Sequence, residues 1–227
     1  MSSYNLKIKK NITRPKKELL ELFRDIPVAN IADCMNRMSC LDSKIFPLNR
    51  AKLLGTAFTV KATNGDNLLF HKALDMAQPG DVIVVAGGGT ITRSYAGEIM
   101  VRYAMMKGLA GFIVDGCMRD RDSIAEINEF PVYCIGVTPN GPYKNGPGEI
   151  GYPVSCAGQV ICPGDILVGD GDGVVVIHPD EAEKLAAEAR AVSIKEEKDI
   201  ADIINRKYVK RDWIDAKINA LGFIYED

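Results

Sequence analysis

The sequence is notable first for what it lacks. Positive charge is not in surplus: 28 lysines and arginines face 30 acidic residues, a net charge of −2. No basic footprint for nucleic acid follows from that balance. No apolar run approaches the roughly 18 residues that a membrane-spanning helix requires. The opening "MSSYNLKIKKNITRPKK" carries positive charge but no apolar core behind it, so it does not read as a secretory signal. The six cysteines, Cys34, Cys40, Cys117, Cys134, Cys156 and Cys162, form no CxxC pair. A chain of 227 residues has no need of disulfide staples, so reduced and mostly buried thiols of a cytoplasmic protein are expected. Only two histidines occur, His71 and His178, and neither has a cysteine at ligand spacing, which disfavours zinc.

Other motifs are missing a part. "GDGDGVVV" has neither the third acidic position nor the closing glutamate of a calcium loop, and reads as a tight Asp-Gly hairpin. "AGGGT" is followed by no Gly-Lys-Ser/Thr, which excludes a P-loop and leaves a glycine-rich strand end opening onto a crevice. There are no internal repeats and no low-complexity tracts.

What is present is an alternating α/β pattern. Thr13 before "RPKKELLELFRDI" predicts a capped helix, and "VANIADCMNRM" a second, short one. "LLGTAFTVKAT" reads as a strand, and "GDNLLFHKALDMAQPGD" as a helix stopped by Pro79-Gly80. Eighteen of the 21 glycines fall between Gly80 and Gly173. There "DVIVVAG", "AGFIVDG" and "FPVYCIGV" are strands, with the helix "GEIMVRYAMMKG" between the first two. This order predicts parallel strands joined by right-handed crossovers. The stretch from Pro153 to Pro179 predicts hairpins or a small barrel-like layer. From Asp180 the chain returns to helix, and its tail from Val209 supplies a last helix and an apolar end.

Two features bear on chemistry. In "SYAGEIMVRYAMMKG" the backbone N–H groups from Gly97 to Met100 are expected to be the unpaired first donors of a helix, suited to a carboxylate. Glu98 at that point balances the helix dipole whether or not a ligand binds. The second feature, "FIVDGCMRDRD", sets Arg119 and Asp120 directly after a buried strand. Ligands of open α/β sheets bind outside the carboxyl ends of strands. Arginine's planar fork matches a carboxylate, and aspartate suits a hard cation. A surface salt-bridge cluster capping the next helix fits the local pattern equally well. His71, beside leucine and phenylalanine, reads on its own as a satisfied, partly buried histidine.

The segments "GDNLLFHKAL", "PGDVIVV", "AGEIMVRYAMMKGLAGFIVDGCMRD", "FPVYCIGVTP" and "PGDILVGDGDGVVVIHP", with the pattern G-x-x-G-x-x-x-D-G-x-x-R-D from Gly108 to Asp120, resemble the RraA-like family. That family includes 4-hydroxy-4-methyl-2-oxoglutarate aldolases. The resemblance runs from about Leu54 to Glu183. It implies a layered αββα sandwich with a mixed sheet or small barrel core, as a catalytic domain over residues 1–180. Residues 181–227 are then a helical extension at a subunit interface. By the same resemblance Asp120 holds Mg²⁺, or Mn²⁺ or another divalent metal, partly through waters, and Arg119 grips the 2-oxo acid. The backbone of Gly97, Glu98, Ile99 and Met100 binds the pyruvyl carboxylate, and Asn67 and His71 line the pocket. Glu197, or Glu196 beside it, enters from a neighbouring subunit of a homotrimer or homohexamer.

Glu98 departs from the aspartate of the well-studied aldolases, which bears on the substrate more than on the metal. The implied activity is metal-dependent cleavage of a 4-hydroxy-2-oxo acid to pyruvate and a carbonyl compound, with oxaloacetate decarboxylation on the side and a water held by the metal or by Glu98 acting as base. Two alternatives belong to the same resemblance: a non-catalytic regulator that binds a ribonuclease, and a lyase or isomerase acting on another 2-oxo acid.

Overall fold

The computed structural model describes residues 4–207 and 210–226. Its strands are β1 (Leu6–Ile8), β2 (Phe46–Pro47), β3 (Leu53–Ala62), β4 (Asp81–Ala96), β5 (Gly111–Met118), β6 (Val132–Val137), β7 (Gly148–Ile150), β8 (Val154–Cys156), β9 (Gln159–Ile161), β10 (Ile166–Asp170) and β11 (Gly173–Ile177). The helices are α1 (Lys17–Glu21), α2 (Val28–Cys34), α3 (Leu68–Met76), α4 (Glu98–Met106), α5 (Arg121–Ala125), α6 (Ala182–Ile204) and α7 (Trp213–Leu221). Two compact units divide the chain, Met1–Arg190 and Ala191–Asp227, and α6 runs across the division. The last helix expected in the tail is α7; Val209 and Asp227 lie outside the described residues.

The main sheet is mixed, in the order β1-β7-β3-β4-β5-β6-β2, and its path does not close into a barrel. Strands β3, β4, β5 and β6 pair in parallel, with α3 and α4 as the crossovers of the first two steps. Their near-continuous apolar runs reflect burial on both faces. Alternate residues point to opposite sides. Thus Ile83, Val85, Phe112 and Val114 join one cluster with Phe70, Val101 and Ile124 from the helices. Val82, Val84 and Ile113 join another with Val154, Ile161, Leu167 and Val176. A third cluster unites β10 and β11 with α1, α2 and the start of α6. Helix, strand, strand and helix layers are therefore bound by three apolar seams, with the edge-to-face rings of Phe70, Phe112 and Phe130 at 4.9 Å in the first. "GDGDGVVV" forms the tight β10–β11 hairpin, in which Asp172 N–H donates to Asp170 Oδ1 at 3.0 Å.

Two expectations change. The helix expected after Thr13 begins only at Lys17 and has no side-chain cap. Pro15 keeps Arg14 out of helical geometry, and Arg14 is drawn to Asp81, to which it donates from Nε at 2.8 Å and Nη2 at 2.7 Å. Asp81 is 1% exposed and also accepts from Gln78 N–H at 2.8 Å, so the pair fixes the N-terminal segment to the start of β4. Arg14→Ala should cost about 2–3 kcal/mol in a urea titration, because it strands a buried carboxylate. An unchanged midpoint would show that the pair is energetically idle.

Strand β4 also continues where "AGGGT" was expected to end it. It runs irregularly to Ala96, with register shifts against β5 after Val85, after Thr90 and after Ser94. Tyr95 explains the bend. Its ring lies where a Cβ on Gly87 or Gly116 would be, 2.6 and 2.3 Å from the nearest ring atoms. Its hydroxyl receives Gly65 N–H at 2.9 Å and donates toward the Gly87 carbonyl at 3.0 Å. The glycines thus admit a buried tyrosine that carries Ala96 and Gly97 across the end of β5.

Candidate active site

Beyond the carboxyl ends of β4 and β5 lies a cavity of about 320 Å³. Its polar lining comes from Asn67, His71, Ser94, Arg119, Asp120 and Lys144. Each is placed by the local fold. Asn67 precedes α3, Arg119 and Asp120 follow β5, and Lys144 lies in the loop between β6 and β7.

Asp120 is the best defined of these residues. Its backbone is left-handed, φ 59° and ψ 41°, a conformation that aspartate tolerates better than most residues. Its Oδ2 accepts the Glu98 N–H at 3.0 Å, so its carboxylate caps the N-terminus of α4. Arg119 Nε stands 3.8 Å from the same oxygen, and both side chains are nearly half exposed. Gly97 is pressed against them: a Cβ there would lie 2.2 Å from Asp120 Oδ2 and 2.8 Å from Arg119 Cγ.

The α4 terminus is accordingly less open than expected. The Glu98 amide is taken by Asp120, and the Met100 amide donates to the Gly97 carbonyl at 3.1 Å. Gly97, Ile99 and Met100 line the cavity. The Glu98 carboxylate turns to Arg102, accepting from its Nε at 2.7 Å, and Arg102 and then Ser123 hold its pKa below the usual range.

Asn67 is 3% exposed; its Nδ2 donates to the Tyr95 carbonyl at 2.8 Å, while its Oδ1 has no partner. His71 is exposed rather than partly buried. Desolvation and then the charge of Lys144 hold its pKa below the usual imidazole range. Glu197 lies in the second unit, on α6, and accepts from Ser193 Oγ at 3.5 Å. Sequence reasoning passed over Lys144 and Tyr95, since neither an isolated lysine in a loop nor a tyrosine in a strand carries a motif.

The donor set can be tested against a divalent metal. Among the described residues, Asp120 is the one acidic side chain lining the cavity, and no group of three or more His, Cys, Asp or Glu is assembled anywhere. That excludes a zinc-type cage among those residues. One carboxylate with an uncommitted oxygen, open to water, fits a hard cation such as Mg²⁺, which keeps most of its waters.

Comparison with known proteins places this geometry. The family model described as RraA-like, Aldolase/RraA, matches residues 28–176 and so spans the parallel strands β3–β6 and the cavity. The chain belongs to the RraA-like family. A Halalkalibacterium halodurans relative, provisionally named a 4-hydroxy-4-methyl-2-oxoglutarate aldolase, is 41% identical over 174 residues, 76% of this chain and 82% of its own. A Thermus thermophilus protein named 4-hydroxy-4-methyl-2-oxoglutarate aldolase is 32% identical over 128 residues, 56% of this chain and 77% of its own. Among solved structures, a Streptomyces coelicolor protein described as an unusual member of the RNase ES inhibitor RraA family superposes with TM-score 0.73 at 29% identity. That match covers 83% of this chain and 98% of the other. RraA-like membership thus embraces relatives named for carbon–carbon cleavage and relatives named for ribonuclease inhibition. As for the remaining expectations, Cys117, Cys134 and Cys156 are buried, all six thiols are free, and no described helix is long and apolar enough to cross a membrane.

Proposed function

We propose that this RraA-like chain is a divalent-metal-dependent lyase. It cleaves a 4-hydroxy-2-oxo acid such as 4-hydroxy-4-methyl-2-oxoglutarate to pyruvate and a carbonyl compound. The observation that carries the reading is the Arg119–Asp120 pair held beside Gly97 at the cavity, with a guanidinium for the anion and a carboxylate for the cation. The names of the two aldolase relatives support it.

Arg119 binds the carboxylate and 2-oxo end of the substrate and stabilises negative charge on the 2-oxygen. Asp120 would hold the cation, which when bound supplies Lewis-acid stabilisation worth several kcal/mol in the transition state. Glu98 contributes its amide, which fixes Asp120; its carboxylate, engaged by Arg102, is held ionised. The 4-hydroxyl proton passes to a water in the open cavity. As the C4 carbonyl forms, the C3–C4 bond breaks and its electron pair becomes the enolate of pyruvate. Protonation at C3 completes the product. Loss of CO₂ from oxaloacetate leads to the same enolate, so that decarboxylation is an expected side activity.

The metal in this reading is Mg²⁺, Mn²⁺ or another divalent cation. The assembly is a homotrimer or homohexamer, with Glu197 or Glu196 of the tail reaching a neighbouring site. The exposed Trp213, Phe223 and Ile224 favour an interface role for the tail. Pyruvate release with Mg²⁺ should stop in EDTA and return with added metal, and borohydride with pyruvate should trap no adduct. A covalent adduct, or activity indifferent to EDTA, would refute the mechanism. Arg119→Ala should lower kcat/KM about tenfold to a hundredfold, the worth of a charge-assisted hydrogen bond, without changing the melting temperature.

A second reading, regulation of a ribonuclease by protein binding, is favoured by the likeness to the Streptomyces inhibitor-family structure. It would stand if the chain releases no pyruvate with any divalent metal yet slows RNA cleavage by a purified RNase E-type enzyme.

A further inference from the structure

Two consecutive residues at the end of β4 hold two walls of the cavity. The Tyr95 carbonyl accepts Asn67 Nδ2 at 2.8 Å, and the Ala96 carbonyl accepts the Arg119 N–H at 3.0 Å. One residue further on, Gly97 leaves no room for a Cβ before the Arg119 and Asp120 side chains. The Asn67 side brings a third wall with it. Tyr143 N–H donates to the Gly65 carbonyl at 2.8 Å and Asn67 N–H to the Tyr143 carbonyl at 2.9 Å, so the loop of Gly141, Pro142 and Lys144 follows Gly65–Asn67. Whatever fastens Gly65–Asn67 to β4 therefore fixes the width of the cavity.

The Tyr95 hydroxyl is such a fastening. The side chain is fully buried, and its ring packs in an apolar cluster with Phe112, Val114 and Met118. A phenylalanine ring would fill the same space, yet a hydroxyl is carried inward despite its desolvation penalty. It accepts the Gly65 N–H at 2.9 Å and donates to the Gly87 carbonyl at 3.0 Å, with the Thr63 carbonyl at 3.2 Å as its alternative. Gly65 is buried in a turn at φ 71°, outside any strand, and the tyrosine supplies the partner of its amide. A buried polar group with its partners satisfied fixes one arrangement, where an apolar contact would permit several.

We infer that Tyr95 is a positioning residue for the reaction at this cavity: its hydroxyl sets the Asn67 wall at a fixed distance from the Arg119–Asp120 wall and touches no substrate itself. The effect on turnover rests on the lyase reading above; the fastening of the two walls stands apart from it. Without the hydroxyl, the Gly65 amide loses its partner, and Gly65–Asn67 moves off β4 together with the loop it carries. Arg119 and Asp120 keep their own bonds to the Ala96 carbonyl and the Glu98 amide, so the proposed metal site is spared while substrate alignment between the walls is lost. A misplacement of about 1 Å is enough to slow a reaction by up to about a hundredfold.

Tyr95→Phe tests this, since it keeps the ring and removes only the hydroxyl. With 4-hydroxy-4-methyl-2-oxoglutarate and Mg²⁺, well below the unfolding temperature, kcat per folded molecule should fall about tenfold, with the Mg²⁺ requirement within about threefold of the wild type. Amide hydrogen exchange should quicken at Gly65, Asn67 and Tyr143 together, by roughly tenfold or more beyond any change at Val84 and Val114 in the core strands. A merely structural role would quicken all five amides alike and leave the kcat of folded molecules intact. Unchanged kcat, a raised Mg²⁺ requirement, or quickening that is uniform or confined to Gly65 would overturn the assignment while leaving the lyase reading intact. If the wild type releases no pyruvate, the lyase reading falls and the exchange pattern alone decides: the three amides loosened together uphold the fastening, and any other pattern overturns it. Should Tyr95→Phe not fold, exchange in the wild type decides instead. Equal protection at Gly65, Asn67 and Tyr143 upholds a single fastened unit, and protection differing by more than about tenfold overturns it.

Discussion

Gly97→Ala should reduce pyruvate release at least a hundredfold while leaving the fold standing. The backbone of Gly97 is extended, φ −147° and ψ −165°, which any residue adopts, so the restriction is one of space alone. A methyl group there would meet Asp120 Oδ2 at 2.2 Å and Arg119 at 2.8 Å on Cγ and 3.1 Å on Nε. These are side-chain atoms, nearly half exposed and free to swing outward, so the clash is relieved by displacing them rather than by unfolding. The displaced groups are the two that the proposed chemistry requires in register. A misplacement of about 1 Å in such a pair can cost roughly a hundredfold. Thermal unfolding followed by circular dichroism should move by only a few degrees, since alanine replaces glycine at a helix N-terminus. Activity within threefold of the wild type would mean that the Arg119–Asp120 geometry is unimportant.

The same contact explains why the two halves of the site had to be read separately from the sequence. Near-continuous apolar runs in "DVIVV" and "FIVDG" announced two buried strands, and the helix between them made the pairing parallel. Arg119 and Asp120 were visible because charge stands out directly after a buried strand. Their contact with Gly97, more than 20 residues earlier in the chain, was not, because β4 reaches that point through a bend. The bend depends on Tyr95 filling the space above Gly87 and Gly116, and three glycines in a row suggest a strand end more readily than a kinked continuation. The α4 terminus was legible as a set of backbone donors. That Asp120 takes one of them follows from the left-handed turn at Asp120, which no local pattern signals. Lys144 was silent for a different reason. Its place at the cavity depends on what its neighbours hold, and the bonds to Gly65, Asp66 and Asn67 cross more than 75 residues of sequence.

Asp120→Asn should be the more damaging change to activity, about a thousandfold, and the less damaging to structure. Asparagine tolerates the left-handed backbone as readily as aspartate does, and its side-chain oxygen can still accept the Glu98 N–H. The N-terminal cap of α4 is therefore retained, and stability should change by less than about 1 kcal/mol. What disappears is the negative charge. In the proposed mechanism that charge anchors the cation, whose stabilisation of the developing enolate is worth several kcal/mol, and about 4 kcal/mol corresponds to a thousandfold in rate. Asp120→Ala separates the two roles from the other side. It removes the cap as well as the charge and forces alanine into the left-handed region, so it should lose the same activity and also unfold at lower denaturant. If raising Mg²⁺ or Mn²⁺ by two orders of magnitude restores Asp120→Asn, the defect is one of metal affinity. If activity stays low at every metal concentration, the carboxylate also acts on the substrate. An Asp120→Asn variant with wild-type activity at ordinary metal concentration would leave the cap as the sole function of Asp120 and remove the basis for a metal site at this cavity.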